Sequence, residues 1–131
     1  MKIVRGREGK PSEQRTETFT GEVWGDVVLA DEGLAVNSVF FAPGARTHWH
    51  THGIGQVLHV THGRGLLWSS DAGRGVVLEP GDVAHIPAGE RHWHGGAPDS
   101  FLLHLAISVG PTDWLDPVTD DDYQEVLDAL A

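Results

Sequence analysis

Between residues 16 and 109 the chain is a series of short β-favouring runs cut by glycine and proline. The runs read as Val36–Ala42, His48–His52, Gln56–His62, Gly65–Ser69, Gly75–Leu78, Val83–Pro87 and Phe101–Val109. Between them stand Pro43-Gly44, Gly53, Gly63, Asp71-Ala72-Gly73, Pro80-Gly81, Pro87-Ala88-Gly89 and Gly95-Gly96, the residue chemistry of turns. Many short strands at near-regular spacing predict an all-β sandwich or barrel. One helix is predicted, at the C-terminal end. Thr119 stands at its cap, Asp122 holds the capping-box position, and Asp120 and Asp121 favour the positive end of the helix dipole. Tyr123, Val126, Leu127 and Leu130 then form one apolar stripe, read as packing surface.

Composition narrows the function. The 131 residues suit a single domain over residues 16–131, preceded by a polar N-terminal arm, residues 1–15, that holds five of the nine bases. Seven acids lie between Asp113 and Asp128 and read as a solvated helix face; an arm reaching a partner's acidic tail is the alternative. A net charge of −10 argues against nucleic acid and anionic membranes as partners, because phosphates are repelled. No apolar run matches a signal peptide or a bilayer span, so the expected location is cytoplasmic. The absence of cysteine excludes a disulfide framework, a thiolate zinc site and a cysteine nucleophile.

The chemistry lies in histidine. All nine histidines fall between His48 and His104. Strand alternation puts His48, His50 and His52 on one face, with Trp49 and Thr51 on the other. Crowded neutral imidazoles each need two hydrogen-bond partners, and a divalent transition metal ion satisfies several of them at once. A second segment, Gly81 to His94, adds His92 and His94 on one face, after a Pro87-Ala88-Gly89 turn that aims His92. Trp49 and Trp93 alternate with these histidines and are expected to point away, into the opposite layer. His59, His62 and His85 read as structural or surface groups.

These two segments resemble the paired motifs of the cupin family. Gly44, His50, His52, Gln56 and Gly63 match the first motif at its spacing. Gly81, Pro87, Gly89 and His92 match the second, with Gly96 where that motif has asparagine. The resemblance implies a double-stranded β-helix, the cupin jelly-roll barrel, with one divalent transition metal ion held in its mouth by His50, His52, Gln56 and His92. Gln56 stands where most relatives carry glutamate. Four neutral ligands leave the ion's charge uncompensated and its Lewis acidity high.

The stretches GARTHWHTHGIGQ, GERHWHGGAP, HLAIS and DWLDPVTDDDY are similar, more closely, to the small bacterial cupins that act as manganese-dependent hydroxynitrile lyases. This likeness implies active-site roles for His94 and His104 and a polar pocket role for Thr47. His48 stands where a small residue is usual and would add a base; Ser108 stands where a glutamine is usual. Mn(II) or Fe(II) is the expected ion, with Zn(II) and Ni(II) as alternatives. Small cupins commonly pair through their sheet faces, so a homo-dimer or homo-tetramer is expected. The expected reaction cleaves a small cyanohydrin into an aldehyde and cyanide. The alternatives are an Fe(II)/Mn(II) dioxygenase, weakened by the absence of a carboxylate ligand, and a non-catalytic cupin that binds a small metabolite.

Overall fold

The computed structural model describes every residue from Met1 to Ala131. Four strands precede the first histidine segment: β1 (Glu13–Gln14), β2 (Phe19–Thr20), β3 (Val23–Asp31) and β4 (Leu34–Phe41). That segment lies on β5 (Arg46–Thr47), β6 (His50–His52) and the start of β7 (Gly55–Gly63). Next come β8 (Gly65–Ser69), β9 (Arg74–Leu78) and β10 (Val83–Pro87). Finally β11 (His92–Gly96), β12 (Leu102–Val109) and β13 (Thr112–Trp114) lead to the helix α1 (Asp120–Leu130).

The strands pair antiparallel in two sheets. One runs β1-β3-β4-β12-β7-β10; the other runs β13-β6-β11-β5-β2, with β8 joining β11 to β9. The double-stranded β-helix with one short C-terminal helix, expected from the sequence, is the fold that forms. β3 is the main strand outside the predicted runs. Its alternation is broken by a register shift between Val27 and Leu29, and glycine at position 25 removes an apolar signal from its inner face.

Alternation on β7 and β12 explains where a site can form. Leu58 and Val60 point inward with Leu102 and Ala106, and all four are buried. One step further along the same faces, Gln56 pairs with Ser108. The interior therefore changes from apolar to polar along the barrel. At the apolar end Val23, Val39, Phe41, Ala45, Val60, Leu78 and Leu102 make one cluster. Gly63 closes β7 at φ +78, and a Cβ there would meet the Phe101 carbonyl oxygen at 2.0 Å, so only glycine fits. At Gly96, in the position of the family motif's asparagine, a Cβ would stand 2.6 Å from the Ala42 carbonyl oxygen, leaving no room for any side chain.

Helix α1 seals the outside of the second sheet. Its capping box forms as predicted: the Asp122 backbone N–H donates to Thr119 Oγ1 at 3.0 Å and the Thr119 backbone N–H to Asp122 Oδ2 at 3.1 Å. Tyr123 and Val126 pack with Trp49, Leu66, Trp93 and Val118. Both tryptophans thus face away from the histidines with which they alternate. Arg46 fastens the helix start, donating from Nη2 to Val118 O at 2.9 Å and Asp120 Oδ1 at 2.8 Å, while Tyr123 Oη donates to Gly96 O at 2.8 Å. No helix is long and apolar enough to cross a membrane.

Candidate metal centre

His50 and His92 are directly opposed across β6 and β11, and β6 also carries His52. All three are buried, and their ligand nitrogens lie within 4.8 Å of one another. Backbone carbonyls fix the rings. His50 Nδ1–H donates to His48 O at 2.9 Å and His92 Nδ1–H to Glu90 O at 2.8 Å. A neutral imidazole that donates from Nδ1 carries its lone pair on Nε2. His52 Nδ1 meets Thr112 Oγ1 at 3.1 Å, and its Nε2 is buried without a partner. Gln56 is oriented too: its Nε2 donates to Ser108 Oγ at 3.1 Å, which turns Oε1 to within 3.2 Å of His92 Nε2.

The result is a knot of acceptors. Lone pairs on imidazole nitrogens converge with an amide oxygen, and no group of the protein donates between them. One divalent transition ion satisfies them together, so the donor set fits such an ion. The carbonyls behind the rings are the outer partners that orient metal-ligating histidines. A Gln56→Glu protein should retain the ion and bind it more tightly, since a carboxylate adds charge, but its Lewis acidity should fall. Elemental analysis together with any metal-dependent rate checks this; an unchanged rate would make the neutral amide irrelevant.

Beside the cluster lies a second pair. His94 and His104 are buried, with His104 Nε2 3.0 Å from His94 Nδ1. His94 sits on the wall of a cavity of about 450 Å³ together with His50, His52, Gln56, Thr47 and Phe41. His104 lies behind it, off the wall. Thr47 Oγ1 accepts from the His94 backbone N–H at 3.3 Å. His94 Nε2 and His104 Nδ1 have no partner.

His48 departs from expectation. The strand breaks between Thr47 and His50, because the backbone there binds two segments distant in sequence. His48 N–H donates to Thr18 O, Trp49 N–H donates to Asp116 O, and Trp49 O accepts from Leu115 N–H. Alternation lapses across the break, and His48 is not on the cavity wall; only its carbonyl reaches the cluster. The added base inferred at His48 is therefore withdrawn. Among the wall residues that spacing did not single out are Trp114, whose ring centroid lies 4.6 Å from His50, Thr112, whose hydroxyl meets His52, Asn37 and Arg15. Ser108, noted in the sequence only as a departure from a usual glutamine, proves to be what orients Gln56.

Burial holds the five inner histidines neutral. It lowers His52 and His104 to about 4 from an ordinary 6.5, and lowers His50, His92 and His94 as well. In ion-free protein the unfolded chain therefore binds more protons below pH 6.5 than the folded one. Stability is complete above pH 6.5 and falls as pH drops from 6.5 towards 4. The fully buried His104 alone accounts for roughly 3 kcal/mol of that loss. Urea midpoints of chelator-stripped protein should fall across this window, and less steeply in His104→Gln. A midpoint that stays level from pH 7 to 4 would overturn the prediction.

Comparison with known proteins agrees with this geometry. The family model described as Cupin domain matches residues 37–105. (R)-mandelonitrile lyase from Granulicella tundricola is 41% identical over 132 aligned residues, covering 95% of this chain and 99% of the relative. Acireductone dioxygenase from Gluconobacter oxydans is 32% identical over 75 residues, 56% of this chain but only 40% of that enzyme. Among solved structures, a cupin-like protein from Thermotoga maritima superposes with a TM-score of 0.84 at 40% identity, over 89% of this chain and 94% of that one.

Proposed function

The chain belongs to the cupin family, and from that membership we propose that it is a metal-dependent lyase that splits a small cyanohydrin into an aldehyde and hydrogen cyanide. The observation that carries this reading is His94: a neutral imidazole with an enclosed, unpartnered Nε2, on a cavity wall beside a cluster of neutral donors that fits one divalent ion.

A divalent ion held by His50, His52, His92 and Gln56 would supply Lewis acidity to the substrate's hydroxyl oxygen. The protein supplies the proton chemistry. When His94 Nδ1–H donates to His104 Nε2, His94 Nε2 is a lone pair able to take the hydroxyl proton. The carbon–carbon bond to the nitrile then breaks, its electron pair leaves with cyanide, and the carbonyl forms. The proton on His94 Nε2 passes to cyanide, which returns the pair to its starting state. Nothing is oxidised, consistent with a site that has no charged ligand. His104 touches no substrate; it holds the proton on His94 Nδ1 and so keeps Nε2 available. The Thr47 hydroxyl fixes the β11 backbone at His94.

The test is benzaldehyde release from mandelonitrile, followed by absorbance at mildly acidic pH, for manganese-loaded and chelator-stripped protein against a blank. Release that requires the ion supports the lyase; release equal to the blank overturns it. The likeness to acireductone dioxygenase over 56% of the chain favours one second reading, an iron-dependent oxygenase, whose mark is oxygen uptake by iron-loaded protein.

A further inference from the structure

The cavity lined by His50, His52, Gln56 and His94 also holds a cation from the N-terminal segment. Arg15, the last residue of the arm read as solvated, lines the wall with Asn37, in the same cavity as His50, His52 and Gln56. Its backbone is tied down, with Arg15 N–H donating to Val23 O at 2.8 Å. Nη2 donates to Asn37 Oδ1 at 3.3 Å, while Nε is buried and unpartnered. None of the chain's three ion pairs includes Arg15. Room for the guanidinium comes from Gly25, where a Cβ would lie 2.6 Å from Nε. Glu17, the other charged residue on this wall, is exposed to solvent, which screens it.

A buried guanidinium N–H without a partner is costly, and here the guanidinium borders a cavity of substrate size. We propose that Arg15, braced by Asn37 and given room by Gly25, recognises an anion, and that the substrate is a small carbonyl or hydroxy compound with a carboxylate at the end remote from the ion. A carboxylate is favoured over a phosphate because one guanidinium edge matches two carboxylate oxygens and no further cation stands near. The dimensions allow it. Gly25 on β3 is three strand steps from Gln56 on β7, roughly 14 Å along the sheet at about 4.8 Å per step and less across the curled cavity. The inference rests on the proposed lyase only for the oxygen that meets the ion.

The probes are 4-formylbenzoate and its neutral methyl ester, with binding to manganese-loaded protein read from paramagnetic relaxation of the aldehyde proton. The wild-type protein should bind the acid about tenfold more tightly than the ester, as expected of a charge-assisted pair. Arg15→Gln should erase that preference by weakening the acid alone. Gly25→Ala should do the same, because its methyl group displaces the flexible guanidinium and touches no metal ligand. Equal binding of acid and ester by the wild type, or a preference that survives in Arg15→Gln, overturns the proposal. A charge preference without benzaldehyde release from mandelonitrile removes the lyase and leaves Arg15 standing. Release without the preference removes Arg15 alone.

Discussion

A His92→Ala protein is expected to fold and to lose its ion. His92 is the only one of the three clustered histidines contributed by β11, and its ring centroid lies 4.1 Å from His50 and 5.3 Å from His52. Its Nε2 also faces Gln56 Oε1. Removing it leaves two imidazoles of β6 and one amide, too few to close a four-coordinate site. Loss of an outer partner alone typically costs 10–100-fold in affinity, so loss of a ligand should cost more than about 100-fold. The fold should survive because ion-free wild-type protein already bears the burden of converging lone pairs, and alanine relieves part of it. Without metal, the two proteins should therefore melt within a few degrees of each other. With manganese at about 100 times the wild-type Kd, only the wild type should gain stability, by about 2.7 kcal/mol. One equivalent of metal in the variant, found by elemental analysis, would sink the ligand assignment.

His94→Ala should separate the ion from the chemistry. Its Nδ1 faces His104 and not the cluster, so metal content should remain at one equivalent per chain. Turnover of mandelonitrile should fall by roughly 10²–10⁴, the range set by loss of a positioned general base. Retained metal also certifies that β11 has kept its place, since His92 lies two residues away. Full turnover in a metal-replete His94→Ala protein would remove that imidazole from the mechanism.

The parts of this site legible in the sequence are of two kinds. Strand alternation put His50 and His52 on one face of β6. The resemblance to the cupin motifs joined to them Gln56 on β7 and His92 on β11, after its Pro87-Ala88-Gly89 turn. Each of these relations holds in three dimensions. The capping box at Thr119 was legible from local spacing. Extending strand alternation to His48 failed because alternation ends where hydrogen-bonding partners change, and the partners Thr18 and Asp116 are distant in sequence. Arg15 was hidden differently. Its neighbours are polar and its segment carries no apolar pattern, so nothing local distinguishes it from a solvated arginine. What places it in the cavity is an absent side chain ten residues later, at Gly25. That His104 lies behind His94, off the cavity wall, likewise follows from packing and not from spacing.

The helix that seals the second sheet has a consequence in time. Trp49 and Trp93 alternate in sequence with the clustered histidines and pack on their other side against Val118, Tyr123 and Val126. During synthesis from the N-terminus, every clustered histidine has been made before residues 112–130, which supply the outer neighbour of β6 and the cover over both tryptophans. Until those residues emerge, the two indoles face water and the β6 ligands have no outer strand to hold them. The cluster is thus completed at the end of the folding sequence, and a C-terminal truncation before Thr112 would leave a chain with all its clustered histidines but without the outer strand of β6, the Thr112 hydroxyl against His52 and the cover over both tryptophans.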